Sequence, residues 1–162
     1  MRTTTPLAAS LIAPLVAFAV VLPLLGACQT ATETASASRS LLPADAAPGT
    51  YWQGDRSQAF ERAYVVARTP QEWTELWSRV GDPAPADLPG DQMAVGVFLG
   101  PRDTAGYGVA IDTVRQEGTD IVVGYHEHVP GPAQAVAQMQ TSPYAVRLLP
   151  KAAGATKFHR EK

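Results

Sequence analysis

His126-Glu127-His128 is the stretch of this chain whose side chains come nearest to a chemical site. On a β-strand, which rises about 3.3 Å per residue with alternate side chains on one face, the two imidazoles stand about 7 Å apart, a spacing that two ligands of one metal ion can use. A zinc site needs a third and a fourth ligand. The chain offers one other histidine, His159 near its C-terminal end, and one cysteine, Cys28. Solvated polar residues at a strand end are therefore the favoured reading, and no metal or other cofactor is expected. Nucleophilic chemistry has no better footing, because no serine stands in a nucleophile-elbow pattern. Tyr107-Gly108-Val109 follows a glycine turn without a downstream helix N-terminus to hold a phosphate. Asp112 and Glu117 lie near turns, where paired carboxylates are too commonplace to mark an acid and a base. The residue types point away from catalysis.

A second stretch points to recognition instead. Leu99-Gly100-Pro101-Arg102-Asp103-Thr104-Ala105-Gly106-Tyr107 is a polar loop bounded by glycines between two apolar runs, the kind of hairpin tip that a rigid sheet can present to a partner. Arg102, Asp103, Thr104, Gly106 and Tyr107 are the candidate partner-binding residues. A tight turn followed by a core tyrosine accounts for Thr104, Gly106 and Tyr107 equally well.

The elements that must position this loop are legible from periodicity. Thr69-Pro70-Gln71-Glu72 is a capping box with proline at the first helical position, and Trp73, Leu76, Trp77 and Val80 then recur at i, i+3, i+4 and i+7. Gly81-Asp82-Pro83 ends the pattern, so one helix is expected over about 70–80. Strands are expected at 63–67, 93–99, 106–114, 121–127 and 144–149. Their alternation is lopsided. Met93, Val95, Val97 and Leu99 share one face, as do Tyr107, Val109 and Ile111, and Ile121, Val123 and Tyr125, whereas the opposite faces carry Ala94, Gly96, Gly108, Ala110 and Gly124. Small residues leave room for a close neighbour, and the Trp73/Trp77 helix is the expected one. The fold class is β-rich α+β: an antiparallel sheet, as a compact sandwich or partial barrel, with one packed α-helix.

Ahead of this domain the composition changes twice. An apolar run at 7–25 follows Arg2 and leads into Leu25-Gly26-Ala27-Cys28, which resembles the lipobox of bacterial lipoproteins. Pro14 and Pro23 argue against an uncleaved membrane span, which would need about 20 apolar residues. The expectation is a signal peptide at 1–27 and lipidation at Cys28, with acyl chains contributing about 0.8 kcal/mol per buried methylene. Gln29 in place of aspartate favours the outer membrane, facing the periplasm. Residues 28–58, rich in alanine, threonine, serine and proline, read as a flexible tether, with Tyr51-Trp52 the first contact with the domain. The domain then spans 59–151, and 152–162 is expected as a loose tail. Without residues 1–27 the chain has 12 basic and 15 acidic side chains, which gives no basic stripe for nucleic acid.

Phe98-Leu99-Gly100, then Arg102 with Thr104-Ala105-Gly106-Tyr107-Gly108-Val109, resembles the Gly–Arg–x–Thr–Gly–Gly–Tyr block of PrcB-like domains, a family named for a lipoprotein subunit of a spirochaete surface protease complex. Val129-Pro130-Gly131-Pro132 with Gln138 is similar to the family's proline–glycine loop, and Thr141-Ser142-Pro143-Tyr144 with Val146 and Leu149-Pro150-Lys151 to its closing strand. Tyr64 and the capped helix through Glu72-Trp73 match its opening, so the resemblance covers roughly 62–151. Ala105 departs from the family's more usual glycine. The Thr-x-Gly-Tyr tip also resembles a loop of chagasin-like cysteine-protease inhibitors. The resemblance implies a non-enzymatic lipoprotein whose partner is a secreted or surface protease, stabilised or inhibited by it, with no small-molecule substrate. An envelope-homeostasis or structural lipoprotein without a protease partner is the alternative.

Overall fold

The computed structural model describes Arg39–Ser40 and residues 50–162. The expected signal peptide, Cys28 and most of the expected tether lie outside the described residues.

Helix α1, Pro70–Val80, begins as its sequence dictates. The Glu72 N–H donates to Thr69 Oγ1 at 3.2 Å, and the Glu72 carboxylate accepts from the Thr69 and Arg68 N–H groups at 3.0 and 2.7 Å. Gly81 closes it in the left-handed region at φ 96°, its N–H donating to the Trp77 carbonyl. Trp73, Leu76, Trp77 and Val80 are all buried.

Strands β1 (Arg39–Ser40), β2 (Tyr51–Gly54), β3 (Ala63–Ala67), β4 (Gln92–Phe98), β5 (Gly108–Glu117), β6 (Asp120–His128), β7 (Tyr144–Pro150) and β8 (Thr156–Arg160) form two sheets, ordered β1-β5-β6-β8 and β2-β7-β4-β3. Among the described residues the result is a β-sandwich with one helix, not a closed barrel. The lopsided alternation of β4 decides the layering. Its bulky row of Met93, Val95 and Val97, continued by Leu99, meets Val109, Ile111, Val114, Ile121, Val123 and Tyr125 of the opposite sheet. Its small row admits the helix: a Cβ on Gly96 would stand 3.4 Å from Leu76 Cδ1 and 3.1 Å from Phe98 Cε2. A bulge at Asp112 shifts the phase of β5, since Ile111 pairs with Tyr125 and Thr113 with Gly124. The inward row therefore passes from Ile111 to Val114.

Three expectations need correction. Gly108, Ala110 and Gly124 do not lie under the helix; they line the outer face of the β5/β6 sheet, where a Cβ on Gly108 would meet only His128 and one on Gly124 would meet Thr113 and Glu161. Their smallness admits polar neighbours on that face. The segment expected as a loose tail carries β8, which pairs parallel with β6 in a fold otherwise built from antiparallel pairings. Phe158 draws it in, its ring 5.0 Å from that of Tyr64, while Arg68 donates to the carbonyls of Ala152 and Gly154 and to Thr156 Oγ1. Finally, the end of the expected tether is part of the domain. Tyr51–Gly54 pairs with β7, and the Trp52 ring lies 5.8 and 5.4 Å from those of Trp73 and Trp77. Tyr51-Trp52 is thus an integral strand, hidden by the polar composition around it.

Candidate functional site

Strand directions gather three connections at one end of the sandwich: 55–62 after β2, 99–107 after β4 and 129–143 after β6. The 99–107 loop is shaped by two glycines with positive φ. At Gly100, φ 72°, a Cβ would stand 2.8 Å from the Glu61 carbonyl carbon; at Gly106, φ 90°, it would stand 2.9 Å from Val136 Cγ1 and 3.2 Å from Pro130 Cβ. Glycine is required at both by backbone and by neighbour. Arg102 and Thr141 exchange two backbone hydrogen bonds of 2.7 and 2.9 Å, Thr141 Oγ1 donates to the Thr104 carbonyl, and the Ala105 N–H donates to the Ala137 carbonyl. The 99–107 and 129–143 connections are therefore one unit, joined by hydrogen bonds to Ala137 and Thr141 and by the packing of Gly106 on Pro130 and Val136.

Within that unit Asp103 is exposed, while Arg102, Thr104, Gly106 and Tyr107 are half-buried. The Arg102 guanidinium sits 5.7 Å above the centre of the Tyr107 ring and donates to the Pro101 carbonyl. Tyr107 precedes β5 and is not the first member of the inward row. It supports Arg102 at the surface.

The 55–62 segment is the part of this face that the sequence did not disclose. Ser142 fastens it, its N–H donating to the Asp55 carbonyl and its hydroxyl lying within reach of Ser57 Oγ and the Ala59 carbonyl. The Gln58 N–H donates to the Arg79 carbonyl near the end of α1. Just after these ties Phe60 is 94 % exposed, beside a depression of about 210 Å³ lined by Arg56, Ser57, Pro101, Thr141 and Ser142. A lone aromatic in a polar run next to the expected tether carries no periodic signal.

Beside this face lies a charged cluster. Glu127, its side chain only 6 % exposed, accepts two bonds of 2.5 and 3.0 Å from Arg62 and has Arg160 at 3.6 Å. The Arg62 guanidinium holds the Glu127 carboxyl below its usual range, against the opposing effect of burial. Tyr125 and Tyr64 share a 2.6 Å bond between hydroxyls, and burial, seconded by that bond, pushes the Tyr125 phenol up to about 12. His126 Nδ1 pairs with Asp112 Oδ2 at the bulge, and His128 is exposed. Among the described residues no three His, Cys, Asp or Glu side chains converge.

The sign of the Glu127 effect is testable. A carboxyl that titrates lower in the folded chain contributes stability that is whole above its unfolded pKa, about 4.3, and is lost as pH falls through the folded value. Between about pH 5 and pH 3 the parent should therefore lose more stability than Glu127→Gln. Urea unfolding across that range checks it, and parallel curves would deny Glu127 the effect.

Residues 93–147 match the family model described as PrcB C-terminal. The match takes in β4 to β6, most of β7 and both interlocked loops, 99–107 and 129–143. No curated protein and no solved structure matches the chain.

Proposed function

Because residues 93–147 match the PrcB C-terminal family model, we propose that this chain is a non-enzymatic binding module, lipid-anchored through Cys28 at the outer membrane and facing the periplasm, that associates with a secreted or surface protease. One observation carries the reading: the family segment holds the two sheet-mounted loops that lock together through Arg102 and Thr141. Loops fixed by a rigid scaffold suit recognition, since little ordering remains to oppose binding. Association stabilises or inhibits the protease; both outcomes use the same contact.

The test replaces Arg102, Asp103 and Thr104 together with alanine. Their backbone bonds survive, the Arg102 contact with Tyr107 is lost, and stability should change by no more than about 1 kcal/mol. Crosslinking in intact cells, followed by mass spectrometry, should recover a protease with the parent chain and not with the triple variant. Recovery of envelope proteins without any protease would favour the structural lipoprotein instead. Equal recovery of the protease by both chains would move the contact off this loop.

A further inference from the structure

Phe60 is exposed, yet the chain is held on both sides of it. Ala59 is buried with the helix cluster, its carbonyl accepting from Ser142 Oγ, and two residues after Phe60 the Arg62 side chain grips Glu127. Gln58 is fastened to the end of α1. An aromatic side chain that leaves almost none of its surface covered contributes little to folding, and a backbone so secured fixes the point from which it projects. A depression lies on each side. The first contains Arg56 and Pro101; the second, lined by Gln58, Ala59, Glu61, Ser78 and Arg79, lies toward the helix. Among the described residues neither Arg56 nor Arg79 has a carboxylate within 4 Å, so two cationic groups unpaired with acid flank the ring.

We propose that Phe60 is the anchor of a protein–protein contact, its ring entering an apolar socket on the partner whose rim carries carboxylates that meet Arg56 and Arg79. The flanks carry two arginines against the one carboxylate of Glu61, and that net positive charge selects the occupant. Large aromatics seated in desolvated pockets dominate binding energy, and arginine recognises a carboxylate with paired donors. Pro101 lines the depression beside Phe60, so the anchor adjoins the 99–107 loop and enlarges the same face. The inference rests on the binding role proposed above, not on the partner's being a protease.

The experiment places a photoreactive phenylalanine analogue at position 60 and, separately, at position 103 of the full chain in the cells that make it, and maps the crosslinked peptides. The expected result is one partner protein crosslinked from position 60 at a pocket of apolar residues bordered by Asp or Glu. Phe60→Ala should then leave the unfolding midpoint unchanged and weaken binding to that purified partner at least about 30-fold, and Arg56→Glu with Arg79→Glu should weaken it further. Crosslinks from position 60 that map to a second copy of this chain, to its own residues before 50, to lipid or to nothing overturn the inference. So does Phe60→Ala binding that matches the parent. Should position 103 alone crosslink to a protease, this inference fails while the proposed function stands. A mapped socket on a partner that is no protease gives the reverse.

Discussion

Trp77→Ala should lower the free energy of unfolding by about 3–5 kcal/mol, read as a lower urea midpoint with an unchanged slope. Trp77 is 4 % exposed and sits at the centre of three indoles, its ring 5.4 Å from both Trp52 and Trp73. Removing it leaves a cavity between β2 and α1 that neither element can move to fill, because Trp52 is fixed by pairing of β2 with β7 and α1 by its caps. The contribution is packing alone, since Trp77 Nε1 is buried without a hydrogen-bond partner. Trp73 differs, its Nε1 donating to the Ala86 carbonyl at 2.9 Å. Trp77→Phe should therefore cost less than Trp73→Phe, because the first removes an orphaned donor and the second orphans an acceptor. The reverse order would mean that the Trp77 N–H is satisfied in solution.

Gly154→Val should detach β8 and lower stability by about 1–3 kcal/mol. A Cβ at position 154 would overlap the Thr119 carbonyl at the turn between β5 and β6, and backbone cannot rotate aside as a flexible side chain can. The amides of Ile121 and Glu161, which donate to Ala155 and Tyr125 across the β6/β8 junction, should exchange faster with solvent, while those of β4 and β7 keep their protection. A chain ended after Lys151 should likewise expose the Ile121 amide, which loses its Ala155 acceptor, while β4 and β7 stay protected. Retained protection at Glu161 in the valine variant would show that the approach at Gly154 is not what seats the strand.

The places where sequence and structure part have identifiable physical causes. The 11 residues of α1 were legible because a capping box, a four-residue stripe and a glycine stop all fall inside one short window. Strand β4 was legible because its own alternation assigns both of its faces. The outer face of β5/β6 was not, for a row of Gly108, Ala110 and Gly124 reads the same whether a helix or a histidine covers it. Strand β8 was invisible for a different reason. Thr156-Lys157-Phe158-His159-Arg160 has one large apolar residue, and what seats it comes from elsewhere in the chain, from Tyr64, Arg68 and Asp120. At the candidate site, Gly100 and Gly106 announced a shaped loop. The Arg102–Thr141 bridge and the setting of Phe60 depend on residues some forty and eighty positions away, which no local pattern encodes.

The parallel seating of β8 has a practical corollary for attachment. Because β8 runs alongside β6 toward His128, anything joined after Lys162 leaves the domain at the end where the three connections meet, and Lys162 itself lines a depression with His126 and Glu127. Residues before Tyr51 join at the other end, where the Leu148 N–H donates to the Thr50 carbonyl. A C-terminal affinity tag or fluorescent fusion would therefore crowd the very loops whose partners are sought, whereas a surface or bead coupled on the N-terminal side holds them outward, free to engage.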